Sequence, residues 1–281
     1  MRSYATLLLS LFPLTNSARL TFSDGGNYTI SSNYDETNIF VLNSTSLTLS
    51  SDAYSINAPS STDDGESAIR VENAYLHVNG GKITGAANIG GSGVTITTDK
   101  DRDSKSYATF EDGVEIIGGS AGREHTTKGG DAVQIIQQGA EATFNGGKFT
   151  PGTGCTLNVC GVQTDDGNSL QVLYGKAIIK GGVFEGNIYS LSGDVEVHGC
   201  IEFDGETITG VLLDGNKFDV RFNGQPNYLQ IVYNKTVCED DTASEAPDSS
   251  NAPSNGACSY SAFVLFKLTI GICVMICLSA L

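Results

Sequence analysis

Between residues 65 and 205, apolar side chains fall on alternate positions, and the alternation breaks at fixed places. It runs through Ala74, Leu76 and Val78 into Asn79-Gly80-Gly81-Lys82-Ile83, and through Ala140, Ala142 and Phe144 into Asn145-Gly146-Gly147-Lys148-Phe149. A third copy runs through Gly175, Ala177 and Ile179 into Lys180-Gly181-Gly182-Val183-Phe184. Upstream of each copy the same phase is set by Ile69 and Val71, by Val133 and Ile135, and by Leu170 and Val172. A period of two with one apolar face predicts three short strands per copy, each half-buried. Every copy enters and leaves in the same sense with the same inward positions, which suits parallel strands better than hairpins. Weaker copies end at Val114, Ile116, Gly118 and Gly119, and at Val195, Val197, His198 and Gly199. The paired glycines are predicted corners, because a strand that turns sharply needs backbone angles that Gly reaches at little cost and Asn next best. Polar insertions at 119–130 and 152–166 are predicted to be loops outside the repeat.

These residues resemble the rungs of a right-handed parallel β-helix of the pectin lyase-like class, and the Gly-Gly-x-Phe phrase is similar to the repeats of β-helical surface proteins. The resemblance implies an all-β solenoid over 65–237 and no activity by itself. An antiparallel β-sandwich with short strands and Gly-rich turns is the alternative. Residues 19–64 carry β-like runs at 37–42, 46–49 and 54–57 without paired glycines. They are expected to form an irregular first rung or an N-terminal cap over the open end of the stack.

The 281 residues include 34 Gly and no Trp, with a formal net charge of −16. That acidic balance excludes a nucleic-acid partner, whose phosphates call for clustered Lys and Arg. It offers no EF-hand spacing, so neither a metal nor another cofactor is assigned.

Residues 1–18 read as a secretory signal peptide, with Arg2 ahead of an apolar stretch from Ala5 to Leu14 and small residues at a cleavage point after Ser17 or Ala18. Secretion brings three glycosylation acceptors into play, at Asn27, Asn43 and Asn234. Four of the seven cysteines, Cys155, Cys160, Cys200 and Cys238, precede the acidic tail. Three connectivities are open to them. The preferred one closes Cys155 on Cys160 within one insertion and ties Cys200 to Cys238. Residues 238–261 are rich in Asp, Glu, Ser, Ala, Asn and Pro without apolar periodicity and read as a disordered stalk and spacer.

The mostly apolar residues 262–281 would reach about 30 Å as a helix, the thickness of a hydrocarbon core. A glycolipid attachment signal is the preferred reading, with Ser250, followed by Asn251 and Ala252, as the attachment residue and 253–261 as spacer. Ser249 and Asn255 are alternative attachment residues, and a permanent transmembrane helix is the rival anchor.

The resemblance implies where catalytic residues would fall. Glycoside hydrolases of this class gather Asp residues, a His-Gly and an Arg-Ile-Lys element, whereas its polysaccharide lyases use an Arg or Lys base with Ca²⁺ held by acids. Asp165-Asp166-Gly167 and His198-Gly199 are similar to part of the hydrolase set, but the Asn-Thr-Asp and Arg-Ile-Lys elements are missing. Arg70, Arg102, Arg123 and Arg221 are scattered, and His77, His125 and His198 lie far apart. No catalytic residue is assigned. The expectation is a non-enzymatic, membrane-anchored protein at the outer face of the plasma membrane or in the cell wall. Its expected partner is an extracellular polysaccharide or another surface protein, but with no Trp and with Tyr75, Tyr107, Tyr174 and Tyr189 scattered no aromatic platform is assigned, Tyr75 alone being noted in an outward phase.

Overall fold

The computed structural model describes residues 18–50, 54–59, 67–99, 104–122 and 128–238. Residues 1–17 of the expected signal peptide, the expected stalk from residue 239, Ser250 and the expected anchor at 262–281 lie outside the described residues. The chain is all-β, and it opens with β1 (Ala18–Phe22) and β2 (Asn27–Ile30). Strands then come in threes: β3 (Thr37–Leu42), β4 (Ser46–Ser50) and β5 (Ser55–Asn57), then β6 (Ile69–Glu72), β7 (Tyr75–Asn79) and β8 (Gly81–Thr84). The next triplets are β9 (Val94–Thr97), β10 (Ser106–Phe110) and β11 (Val114–Ile117), then β12 (Val133–Ile135), β13 (Ala140–Phe144) and β14 (Lys148–Thr150). After β15 (Leu170–Val172), β16 (Lys176–Ile179) and β17 (Val183–Phe184), the chain continues through β18 (Ile188–Ser190) and the long β19 (Asp194–Phe203).

From β3 to β16 each strand pairs in parallel with the strand three places later, so the chain passes in turn through three ladders. The first ladder is β1-β3-β6-β9-β12-β15-β18. The second is β2-β4-β7-β10-β13-β16-β19 and the third β5-β8-β11-β14-β17. The strands at 37–42, 46–50 and 55–57, expected to be an irregular rung or a cap, thus stand in the same ladders as the clear copies. Ile39, Val41, Leu47, Leu49 and Ile56 supply the same inward phase, all fully buried. Between β3 and β4 the corner is made without glycine, by Asn43 and Ser44 at φ 55° and 62°.

Register explains the core. Leu47, Leu76, Ala108, Ala142 and Ala177 form one inward column, and Leu49, Val78, Phe110, Phe144 and Ile179 form the next. At Ala108 and Ala142 of the first column the second carries Phe110 and Phe144, so the larger ring fills space that the small side chain leaves. Phe110 and Phe144 stack at 5.1 Å, Phe144 meets Phe149 edge-on at 4.9 Å, and Phe149 stacks on Phe184 at 4.8 Å. Each such side chain contributes about 1.5–3 kcal/mol by leaving water.

The paired glycines lie between the second and third ladders, where Gly147 and Gly182 adopt φ 94° and 102°. Side chains with a Cβ rarely tolerate those angles. Between the third and first ladders stands a different device, a seam of close backbone contacts. The Gly91 amide donates to Ala86 O, Gly119 to Gly91 O, Gly130 to Gly119 O, Gly152 to Gly130 O and Gly167 to Gly152 O, at 2.7–3.1 Å. The insertions 119–130 and 152–167 leave and rejoin the ladders at this seam. Their stems are therefore stitched to one another.

Parallel pairing over the whole of 65–237, as the repeat predicts, does not hold at the C-terminal end. There β19 pairs antiparallel with β20 (Thr207–Leu212), and β20 pairs antiparallel with β21 (Lys217–Asn223). Two Asp-Gly turns cause the reversal. Asp204 Oδ1 accepts the Glu206 and Thr207 amides at 2.9 and 2.7 Å, and Asp214 Oδ1 accepts the Asn216 amide at 3.0 Å. The reversal buries Ile208, Leu212, Phe218, Val220 and Phe222. Phe218 meets Phe184 edge-on at 5.7 Å, so this meander closes over the last aromatic of the core. Finally β22 (Leu229–Tyr233) returns parallel to β19. Disulfides join Cys155 to Cys160 and Cys200 to Cys238, with Cα separations of 6.0 and 5.0 Å.

Candidate binding surface

Because side chains alternate across a strand, the second ladder presents one row of outward positions per register column. One column runs Ser46, Tyr75, Tyr107, Glu141, Lys176, Asp194. Its neighbour runs Thr29, Thr48, His77, Thr109, Thr143, Ile178, Glu196. Tyr75 and Tyr107, which are 32 positions apart in the chain, are cross-strand partners with rings stacked at 5.5 Å and 13°. Tyr75 is 48 % exposed. The pair sits beside the hydroxyls of Thr48, Thr109 and Thr143, which makes an aromatic surface flanked by hydrogen-bonding groups.

Further along, the face becomes ionic. Lys176 Nζ lies 2.7 Å from a Glu196 oxygen, and the other oxygen of Glu196 meets His198 Nε2. The Lys176 hydrogen bond holds the Glu196 carboxyl below the usual carboxylate range, with His198 adding to it, and the same bond pushes the Lys176 ammonium up. The third ladder carries its own ion pairs, Lys82–Glu115 at 3.2 Å and Lys148–Glu185 at 3.0 Å.

The residues that the resemblance suggested for hydrolysis are not assembled. Asp165 and Asp166 lie in the connection from β14 to β15, where Asp166 Oδ1 accepts the Gly154 amide at 2.6 Å. His198 belongs to the second ladder and is engaged by Glu196. His77 takes an outward place between Thr48 and Thr109, and Arg70 pairs with Glu72 at 2.9 Å. Arg221 is in β21, whereas Arg102, Arg123 and His125 lie outside the described residues. Among the described residues no three His, Cys, Asp or Glu side chains gather as a metal ion needs.

Of the acceptor asparagines, Asn27 opens β2 at an exposed position and Asn43 stands exposed at the first corner. Asn234 is half-buried, and its Oδ1 accepts the Thr236 amide at 3.1 Å. Tyr174 is exposed at a corner, and Tyr189 lies half-buried in the first ladder.

Compared with protein-family models, curated proteins and solved structures, the chain matches none. Its functional reading therefore rests on its own residues. Along the sequence Tyr75 and Tyr107 stand scattered. Their equivalence was present in the spacing, since each stands three residues before an inward side chain of one column, Val78 or Phe110.

Proposed function

We propose that this chain is a secreted, surface-anchored right-handed parallel β-helix whose second ladder binds an extended extracellular polysaccharide. In this reading residues 1–18 are removed as a signal peptide and Asn27, Asn43 and Asn234 carry glycans. A glycolipid at Ser250 then holds the protein at the outer face of the membrane or in the wall. The two disulfides support an oxidising compartment, and the parallel pairing of each strand with the strand three places later supports the solenoid.

The observation that carries the binding role is the Tyr75–Tyr107 stack on the outward side of the second ladder. Aromatic rings pack against the apolar faces of sugar rings while neighbouring hydroxyls and charges fix their orientation. Rungs repeat at about 4.8 Å, so a polymer lying along the columns meets similar groups again and again. Catalysis is no part of the proposal. The test is a glycan array probed with the full chain. Binding to one polysaccharide class, weakened about tenfold or more by Tyr75→Ala with Tyr107→Ala, is the expected result, a loss of at least about 1.4 kcal/mol. Equal binding by the double variant, or release of products from pectin or alginate, would sink the proposal.

A further inference from the structure

The 152–167 insertion carries a second feature, independent of the tyrosine face. Residues 153–164 contain no charged side chain, in a protein whose net charge is −16. Within them α1 (Leu157–Cys160) buries none of its residues. Leu157 is 59 % exposed, Val159 51 % and Val162 45 %. A free loop of that composition would fold its aliphatic side chains inward. This one is pinned at its base. The Cys155–Cys160 disulfide closes it, the Cys155 amide donates to Thr164 Oγ1 at 2.6 Å, the Thr164 amide donates to Cys155 O at 2.9 Å, and Asp166 Oδ1 holds Gly154. The seam glycines fix the stem to the neighbouring passes.

From this we infer that the stapled loop is a docking knob for a partner polypeptide with an apolar socket rimmed by Lys or Arg. The apolar part of that description follows from Leu157, Val159 and Val162, which lose no charge hydration when covered. Preorganisation by the disulfide lowers the ordering cost of binding, which favours a shaped socket over a loose apolar surface. The basic rim follows from exposed Asp165 and Asp166 immediately beside the knob. The same acids, and the overall negative charge, disfavour an anionic lipid surface.

The test uses the full chain displayed on the cells that make it, with a diazirine-bearing leucine analogue at position 157 or 162. The exposed corner residue Tyr174 is the control position. The inference predicts one protein adduct from 157 and 162 and none from 174, with the cross-link mapped beside Lys or Arg of the partner. A disulfide-closed peptide spanning 154–163 should compete it away, and Asp165→Lys should cut its yield about tenfold. Glycan binding at the tyrosine face should stay unchanged. Disulfide mapping and the thermal midpoint of each variant establish that the loop and fold are intact. An adduct equal to that at 174, an adduct to lipid, or one indifferent to both peptide and charge reversal would overturn it.

Discussion

The Gly152 amide donates to the Gly130 carbonyl at 2.8 Å, and a Cβ on Gly152 would stand 2.0 Å from the Gly119 carbonyl oxygen. A Cβ on Gly130 would stand 2.1 Å from Gly91 O. The seam thus requires hydrogen in place of a side chain because backbone occupies that space on three successive passes. Gly130→Ala and Gly152→Ala should each destabilise the protein by about 1–3 kcal/mol or more, since the clashing atoms are backbone and cannot turn aside. Gly205→Ala is the comparison, since its Cβ position has nothing within 4 Å and only its positive φ of 109° opposes a side chain, so it should cost less than either seam variant. Thermal midpoints of the three variants compare them directly.

The aromatic column makes the next prediction. Phe144 touches Phe110, Phe149 and Phe184. Phe144→Ala should cost about 3–5 kcal/mol, as a buried ring is lost and its neighbours cannot all collapse into the space. Phe144→Leu, which keeps much of the volume, should cost less. Urea unfolding of both variants measures the difference.

Acid lability should follow from Glu196. Its folded-state carboxyl titrates below its ordinary value because Lys176 hydrogen-bonds the charged form. The stability it adds is therefore complete above the ordinary carboxylate pKa and is lost as pH falls through the lowered one. Lys176 is raised, so its share is complete below the ordinary lysine pKa and is lost only as pH rises through the folded value. Glu196→Gln should flatten the acid limb of the melting-temperature profile. The change at neutral pH should be small, in the range of about 0.2–1 kcal/mol for a partly exposed pair.

The Cys200–Cys238 disulfide closes a 38-residue separation around the antiparallel meander and β22. Cys200→Ser with Cys238→Ser should lower stability by up to about 4 kcal/mol, through the freedom restored to the unfolded chain. Cys155→Ser with Cys160→Ser should leave the global melt nearly unchanged, because its short loop lies outside the ladders. Calorimetry of the two double variants separates a global staple from a local one.

Much of the fold could be read from alternation alone. Leu76, Ala142 and Ala177 are inward and share one column, because a period of two assigns faces without reference to distant residues. The meander was harder to read. Asp204-Gly205 and Asp214-Gly215 are ordinary hairpin signals, but the segments they join carry the same alternation as a parallel rung, so period could not separate the two directions. The glycine seam was legible only as insertions, since which carbonyl each glycine meets depends on contacts across passes. The tyrosine stack needed register, and the apolar knob needed the exposure of Leu157, Val159 and Val162.

Electron–electron spin distances along one outward column test the stacking of successive passes most directly. Thr29 and Thr143 are four ladder steps apart, and Thr29 and Gln230 seven. With labels at these positions, steps of about 4.8 Å predict separations near about 19 and about 34 Å, broadened by the label arms. Distances that grow in this proportion support coil upon coil. A Gln230 label no farther from Thr29 than the Thr143 label, or distances unrelated to the number of passes, would contradict it.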